Sequence, residues 1–190
     1  MNDAKPGRGR LQLLLIAAVF IGPLLAATWM YWSGTLTPAG RSNHGELLEP
    51  VTNIGEVRPG SQLTRLAEGR WIMLYANDGV CDEPCRDALY RMRQTRQMVG
   101  REMDRLLRVF LHGESAPDRV FLQGEHPGLI TITDDGLASL LDTKRPGDAL
   151  SGGIYLIDPL SNLVMYFPPD LDPRDMVDDM KHLLRLSQIG

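Results

Sequence analysis

The run Arg70-Trp71-Ile72-Met73-Leu74-Tyr75-Ala76-Asn77-Asp78-Gly79-Val80-Cys81-Asp82-Glu83-Pro84-Cys85 decides how this chain folds. Trp71 to Tyr75 is an apolar stretch of strand length, and Ala76–Gly79 is turn-like. The two cysteines then bracket Asp82, Glu83 and Pro84. Proline suits the first turn of a helix, and acids suit the positive end of its dipole. Beyond Cys85, Leu89, Met92, Val99 and Met103 follow a helical period with Arg91, Arg93, Arg96 and Arg101 between them. The spacing predicts a long helix from about Glu83 to Met103 with a solvated arginine face.

Further along, Leu106–His112 reads as a second strand and Gly128–Thr133 as a third, short one. Leu137–Asp142 reads as a short helix. The apolar runs Gly153–Pro159 and Leu163–Phe167, split by Asp158–Asn162, have the form of a hairpin. Asp172–Leu186 is amphipathic, with Met176, Met180, Leu183 and Leu184 on one side. Strand, helix, strand, small helix, hairpin and helix in that order predict an α/β sandwich around a small central sheet.

Upstream, residues 33–66 are rich in Gly, Pro, Ser, Thr and Asn and read as a linker and N-terminal arm. Leu47, Leu48, Val51 and Ile54 are placed to pack on the domain surface. Leu11–Trp32 carries no charge and is long enough to cross a hydrocarbon core of roughly 30 Å. Trp29, Tyr31 and Trp32 end it as an interfacial aromatic cluster, and Lys5, Arg8 and Arg10 precede it. By the positive-inside rule the N-terminus is cytoplasmic and the rest lies across the membrane. A cleaved signal peptide would have a shorter apolar core and a small-residue exit. The expected organisation is a cytoplasmic stretch 1–10, a transmembrane helix 11–32, the linker and arm 33–66, and one domain 67–190.

Composition sets the outer bounds. The 190 residues are 43% hydrophobic and 23% charged, with a formal charge of −4. That excludes a disordered chain, a collagen-like repeat and a strongly basic nucleic-acid binder. Taking away the +2 of residues 1–32 leaves −6, which disfavours anionic lipid surfaces and nucleic acid as partners. Two cysteines are too few for a disulfide scaffold or a four-thiolate zinc site.

Those two cysteines are nevertheless the strongest chemical signal. A helix N-terminus favours thiolate, and a spacing of four puts both sulfurs on one side of the helix. They can close a redox-active disulfide or hold one soft metal ion between them. The plainer possibility is an inert structural bridge, although so short a loop gains little chain entropy from closure. Arg86 stands beside Cys85, where it can favour thiolate, while Met92 and Met103 fit core filling better than copper ligation.

Strand–CxxxC–helix, an IYLIDP strand, a hairpin and a C-terminal amphipathic helix, all behind one anchor, resemble the Sco family. The likeness runs from about Trp71 to Leu186. Asn43–Leu48 (NHGELL) is also similar to short proteobacterial proteins associated with cytochrome oxidase assembly. The resemblance implies a thioredoxin-like fold on a single transmembrane helix, held in a bacterial inner membrane with its domain in the periplasm. It implies thiol reductase or copper-chaperone activity toward a cytochrome c oxidase subunit or another assembly factor. Cys81 and Cys85 match the family's redox-active and copper-binding pair.

The chain departs from the Sco pattern at one ligand. The histidine that stands before the IYLI strand in that family is missing, and Leu150 lies near its place. Of the remaining histidines, His112 at a strand end is the candidate ligand ahead of His44, His126 and His182. Thiol redox, or Cu(I) held by Cys81 and Cys85, is therefore expected, with a non-catalytic scaffold bearing a structural disulfide as the alternative. Ordinary thioredoxins use CxxC and a proline before the facing strand, whereas this chain has CxxxC and Ser151-Gly152-Gly153. That difference points to a dedicated partner protein.

Overall fold

Strand β2 (Trp71–Asn77) is buried along its first five residues, because both of its faces are covered and both of its edges are paired. It lies parallel to β3 (Leu106–His112) on one side and antiparallel to β5 (Ile154–Ile157) on the other. The computed structural model describes residues 7–33, 43–78, 80–115, 118–187 and 189. The chain divides into two units, Met1–Ser42 and Asn43–Gly190.

In the first unit, helix α1 (Gly7–Ser33) contains a span of 25 residues, Gly9–Ser33, with mean hydropathy 2.2. It is long and apolar enough to cross a membrane, at a rise of about 1.5 Å per residue.

In the second unit, β1 (Glu46–Asn53), β4 (Ile130–Ile132) and β6 (Asn162–Phe167) complete a sheet of order β1-β6-β5-β2-β3-β4. Strands β2, β3 and β4 run parallel, and β5, β6 and β1 are antiparallel neighbours. One face packs on α4 (Glu83–Met98) and α7 (Pro173–Leu186) through Met73, Leu89, Met92, Phe110, Met176 and Met180. The other packs on α2 (Ile54–Val57), α3 (Gln62–Ala67) and α6 (Asp135–Lys144) through Ile54, Leu63, Leu74, Val109, Leu137 and Leu141. The result is the expected α/β sandwich, three layers deep.

Four local expectations change. Residues 46–57, read as arm, form the edge strand β1 and helix α2, with Leu48 and Ile54 buried and Leu47 and Val51 exposed. Helix α4 stops at Met98 and not at Met103. Gly100 takes φ +67 just past the Val99 cap, a left-handed turn that glycine adopts cheaply and that ends a helix. A 3-10 turn, Gly100–Arg105, follows it. A seven-residue helix, α5 (Arg119–Glu125), capped by Asp118, is too short to show in the apolar periodicity.

The arginines of α4 are the fourth change, because they are not a solvated face. Arg91 is buried and donates to the carbonyls of Pro169 and Leu171, Arg93 donates to that of Glu125, and Arg96 donates to that of Leu106. Their long side chains strap α4 to three neighbouring segments.

The start of β1 is clasped to α7. Asp179 is buried although it sits on a helix of mixed polarity, and its carboxylate accepts the backbone N–H groups of His44 and Gly45, each at 2.8 Å. His44 Nδ1 lies 3.0 Å from the same carboxylate and Nε2 3.7 Å from Asp175, one helical turn away. The hydrogen bond to Asp179 raises the His44 pKa above its ordinary 6.5, with Asp175 adding to it. Protonated His44 therefore strengthens the clasp, an effect complete below pH 6.5 and lost as pH rises through the raised folded value. Asp179→Ala, which leaves the part-buried N–H of His44 and the buried N–H of Gly45 unpaired, should cost about 2–4 kcal/mol in urea unfolding. His44→Gln should remove the pH-dependent part of the stability between neutral and mildly acid conditions while leaving the backbone clasp.

Candidate functional site

The site is built where β2 ends and α4 begins. Asn77 closes β2, and Asp82 caps α4 by accepting the backbone N–H of Cys85 at 3.2 Å. Pro84 occupies the first turn, where a missing N–H costs nothing. This cap and turn place Cys81 just before the helix and Cys85 within it. The two are joined in a disulfide with a Cα–Cα distance of 5.1 Å.

The sulfurs are not equivalent. Cys85 is fully buried in the core with Leu89 and Met92, whereas Cys81 is partly exposed at its edge. Val80, immediately before Cys81, is 80% exposed. Tyr75 of β2 belongs to the same buried cluster as Cys85, and desolvation, followed by the charge of Asp82, pushes its pKa up to about 12.

Opposite the first turn of α4 lies a shallow groove of 360 Å³ lined by Pro84, Ala88, Arg91, Leu150, Ile154 and Pro169. Leu150, the residue near the place of the Sco histidine, thus faces the helix that carries the cysteines. Proline does not fit before β5. Gly153 donates its backbone N–H to the Tyr166 hydroxyl at 2.9 Å, a bond that proline lacks the hydrogen to make. Any Cβ at Gly153 would also press on the Phe167 carbonyl and the Tyr166 ring.

The other candidates fall in different places. His112 ends β3 opposite Asn77, and its Nδ1 lies 2.8 Å from the Gly113 carbonyl. A carbonyl can only accept, so Nδ1 is the donor in this bond. Among the described residues, no three His, Cys, Asp or Glu side chains gather to hold a metal ion, with or without His112. His44 is in the clasp, His126 is buried beside α5, and His182 is exposed on α7. Arg86 is seated on Phe121, with its guanidinium carbon 4.7 Å from the ring centroid. Met92 is core, as expected, but Met103 is 40% exposed because the helix ends before it.

The family model for the transmembrane-like, thioredoxin-like C-terminal domain matches residues 71–187, well over half of the chain. This chain belongs to that family. The companion model, the transmembrane-like N-terminal domain, matches residues 4–34. No curated protein matches the chain. The thioredoxin-like fold is shared with solved Sco structures at low sequence identity. One is ScoI of Arabidopsis thaliana with copper bound, at 20% identity and a TM-score of 0.53 over 65% of this chain and 89% of that one. Another is yeast Sco1, at 19% identity and a TM-score of 0.53 over 65% and 85%. Yeast Sco1 with copper bound gives 18% identity and a TM-score of 0.52 over 65% and 81%.

Asp82 has two separable roles here, a cap and a charge beside the thiols. Asp82→Asn keeps the capping oxygen and removes the charge, so after reduction Cys81 should react with iodoacetamide faster at neutral pH. Asp82→Ala should in addition lose about 1 kcal/mol of stability in thermal or urea unfolding.

Proposed function

We propose that this protein is a membrane-anchored, thioredoxin-like assembly factor for cytochrome c oxidase that works through Cys81 and Cys85, by thiol exchange, by delivery of Cu(I), or by both. The observation that carries this is a cysteine pair closed across the start of α4, with Cys81 partly exposed and Cys85 fully buried. A short bridge of that kind contributes little to holding the fold, since its loop is small. Its partner would be an oxidase subunit or another assembly factor. The charge pattern of Lys5, Arg8 and Arg10 ahead of the uncharged run Leu11–Trp32 supports a cytoplasmic N-terminus and a periplasmic domain on a bacterial inner membrane.

In the exchange, the thiolate of reduced Cys81 attacks a partner disulfide and one partner thiolate leaves. Cys85 then attacks the Cys81 sulfur of the mixed disulfide and releases the second partner thiol. The partner gains two electrons, Cys81 and Cys85 end as a disulfide, and a dithiol reductant must reset the pair. Cu(I) is the cargo that two thiolates suit, because a soft ion accepts two sulfur ligands, whereas Cu(II) wants imidazole or oxygen as well. The donor set therefore fits Cu(I) once the bridge is reduced.

The fully buried Cys85 favours one other reading, a scaffold whose disulfide stays closed. Cys81→Ser and Cys85→Ser should lower the copper content and activity of the host oxidase several-fold. Unchanged oxidase, together with a bridge that resists mild dithiothreitol in thiol labelling, would sink the redox and copper readings and leave the scaffold. Leu150→His, which restores an imidazole facing α4, should add Cu(II) binding to the reduced protein, read as a new sulfur-to-copper absorption band absent from wild type.

A further inference from the structure

A cationic cluster on the far side of α4 has no part in the thiol chemistry. Arg108 points from β3 into the protein and is 4% exposed. Among the described residues one bond serves its guanidinium, from Nη2 to the Pro127 carbonyl at 2.6 Å, while Nε and Nη1 have no partner. Burial and the nearby charges of Arg96 and Arg93 bring its pKa down to about 10, so it is still a cation at neutral pH. Among the described residues no carboxylate is paired with Arg93, Arg108 or Arg119. A buried cation without a counter-charge is unfavourable, and an anion that supplied one would be held firmly.

A hollow of 560 Å³ lies next to this charge, between α5 and β4, with Arg119, Gln123, His126, Gly128 and Thr131 in its lining. His126 is 3% exposed, and its Nδ1 has no hydrogen-bond partner among the described residues. Burial, with Arg93 and Arg108, lowers the His126 pKa, and Glu125 opposes this weakly from the surface. Gly128 forms the wall toward Arg108 at φ +77, and Arg108 Nη2 lies 3.9 Å from where its Cβ would stand. The hollow is thus backed by positive charge across a wall that carries no side chain.

We propose that this hollow is a carboxylate-binding site. Arg119 at the rim offers the planar forked donor that matches a carboxylate, and His126 and Thr131 each offer one more hydrogen. Arg93 and Arg108 supply the field behind them. The carboxylate belongs either to a small free acid or to an acidic side chain of a protein partner.

The test is isothermal titration of the full-length protein in detergent micelles, with chloride holding ionic strength constant. Succinate is one probe, and an N-acetylated, C-amidated glutamate peptide is the other. Saturable binding of either is expected, and the probe that binds more tightly identifies the source. Arg119→Ala, a rim change outside the core, should weaken binding about tenfold, as loss of one charge-assisted bond does. Arg108→Met should weaken it similarly with the urea midpoint unchanged or raised, since the variant removes a buried charge. Cys81→Ser should leave binding unaltered, which keeps this result separate from the thiol reading. No saturable heat with either probe, or equal affinity in wild type and Arg119→Ala, overturns the site.

Discussion

Strand β2 has no solvent face, and most of the folded unit follows from giving it cover. Trp71, Met73 and Tyr75 look toward α4 and α7, while Ile72 and Leu74 look toward α2, α3 and α6. Both edges must also be paired, since an N–H left bare in that interior would cost most of its desolvation. β3 supplies one ladder and β5 the other. A parallel neighbour requires a crossover, and α4 is that crossover. The cysteine pair therefore stands where it does because a helix must begin at the end of the central strand.

The start of α4 then joins structure to chemistry. Asp82 caps the helix, Pro84 fits its first turn, and Cys85 is drawn into the core with Leu89 while Cys81 remains at the edge. The asymmetry of the two sulfurs is a packing result. The facing segment was shaped by packing too: Gly153 is held against Tyr166 and Phe167 so closely that neither a side chain nor a proline fits. Leu150 presents an apolar surface to the groove beside the first turn of α4.

Legibility in the sequence tracked how local each cause was. β2, β3, the β5–β6 hairpin and α7 each announced themselves by uninterrupted or periodic apolar residues, a property of the segment alone. β1 did not, because Glu46–Asn53 becomes a strand only by pairing with β6. The end of α4 was misplaced by the periodic Met103, since Gly100 ends the helix and the apolar pattern does not register a left-handed turn. Arginines at helical spacing looked solvated, yet Arg91, Arg93 and Arg96 reach carbonyls distant in the chain. Buried Asp179 was invisible for the same reason, its partners being 134 and 135 residues away.

By itself the sequence determined the membrane-length helix, the sandwich class and the position of a thiol pair at a helix start. These rest on hydropathy, spacing and capping, which act over one or two turns of chain. Only the tertiary structure decided which sulfur is sealed, what lines the groove beside the first turn of α4, and which cations among the described residues lie buried without a counter-charge. Those properties depend on desolvation, and desolvation is set by neighbours that the fold brings in from elsewhere.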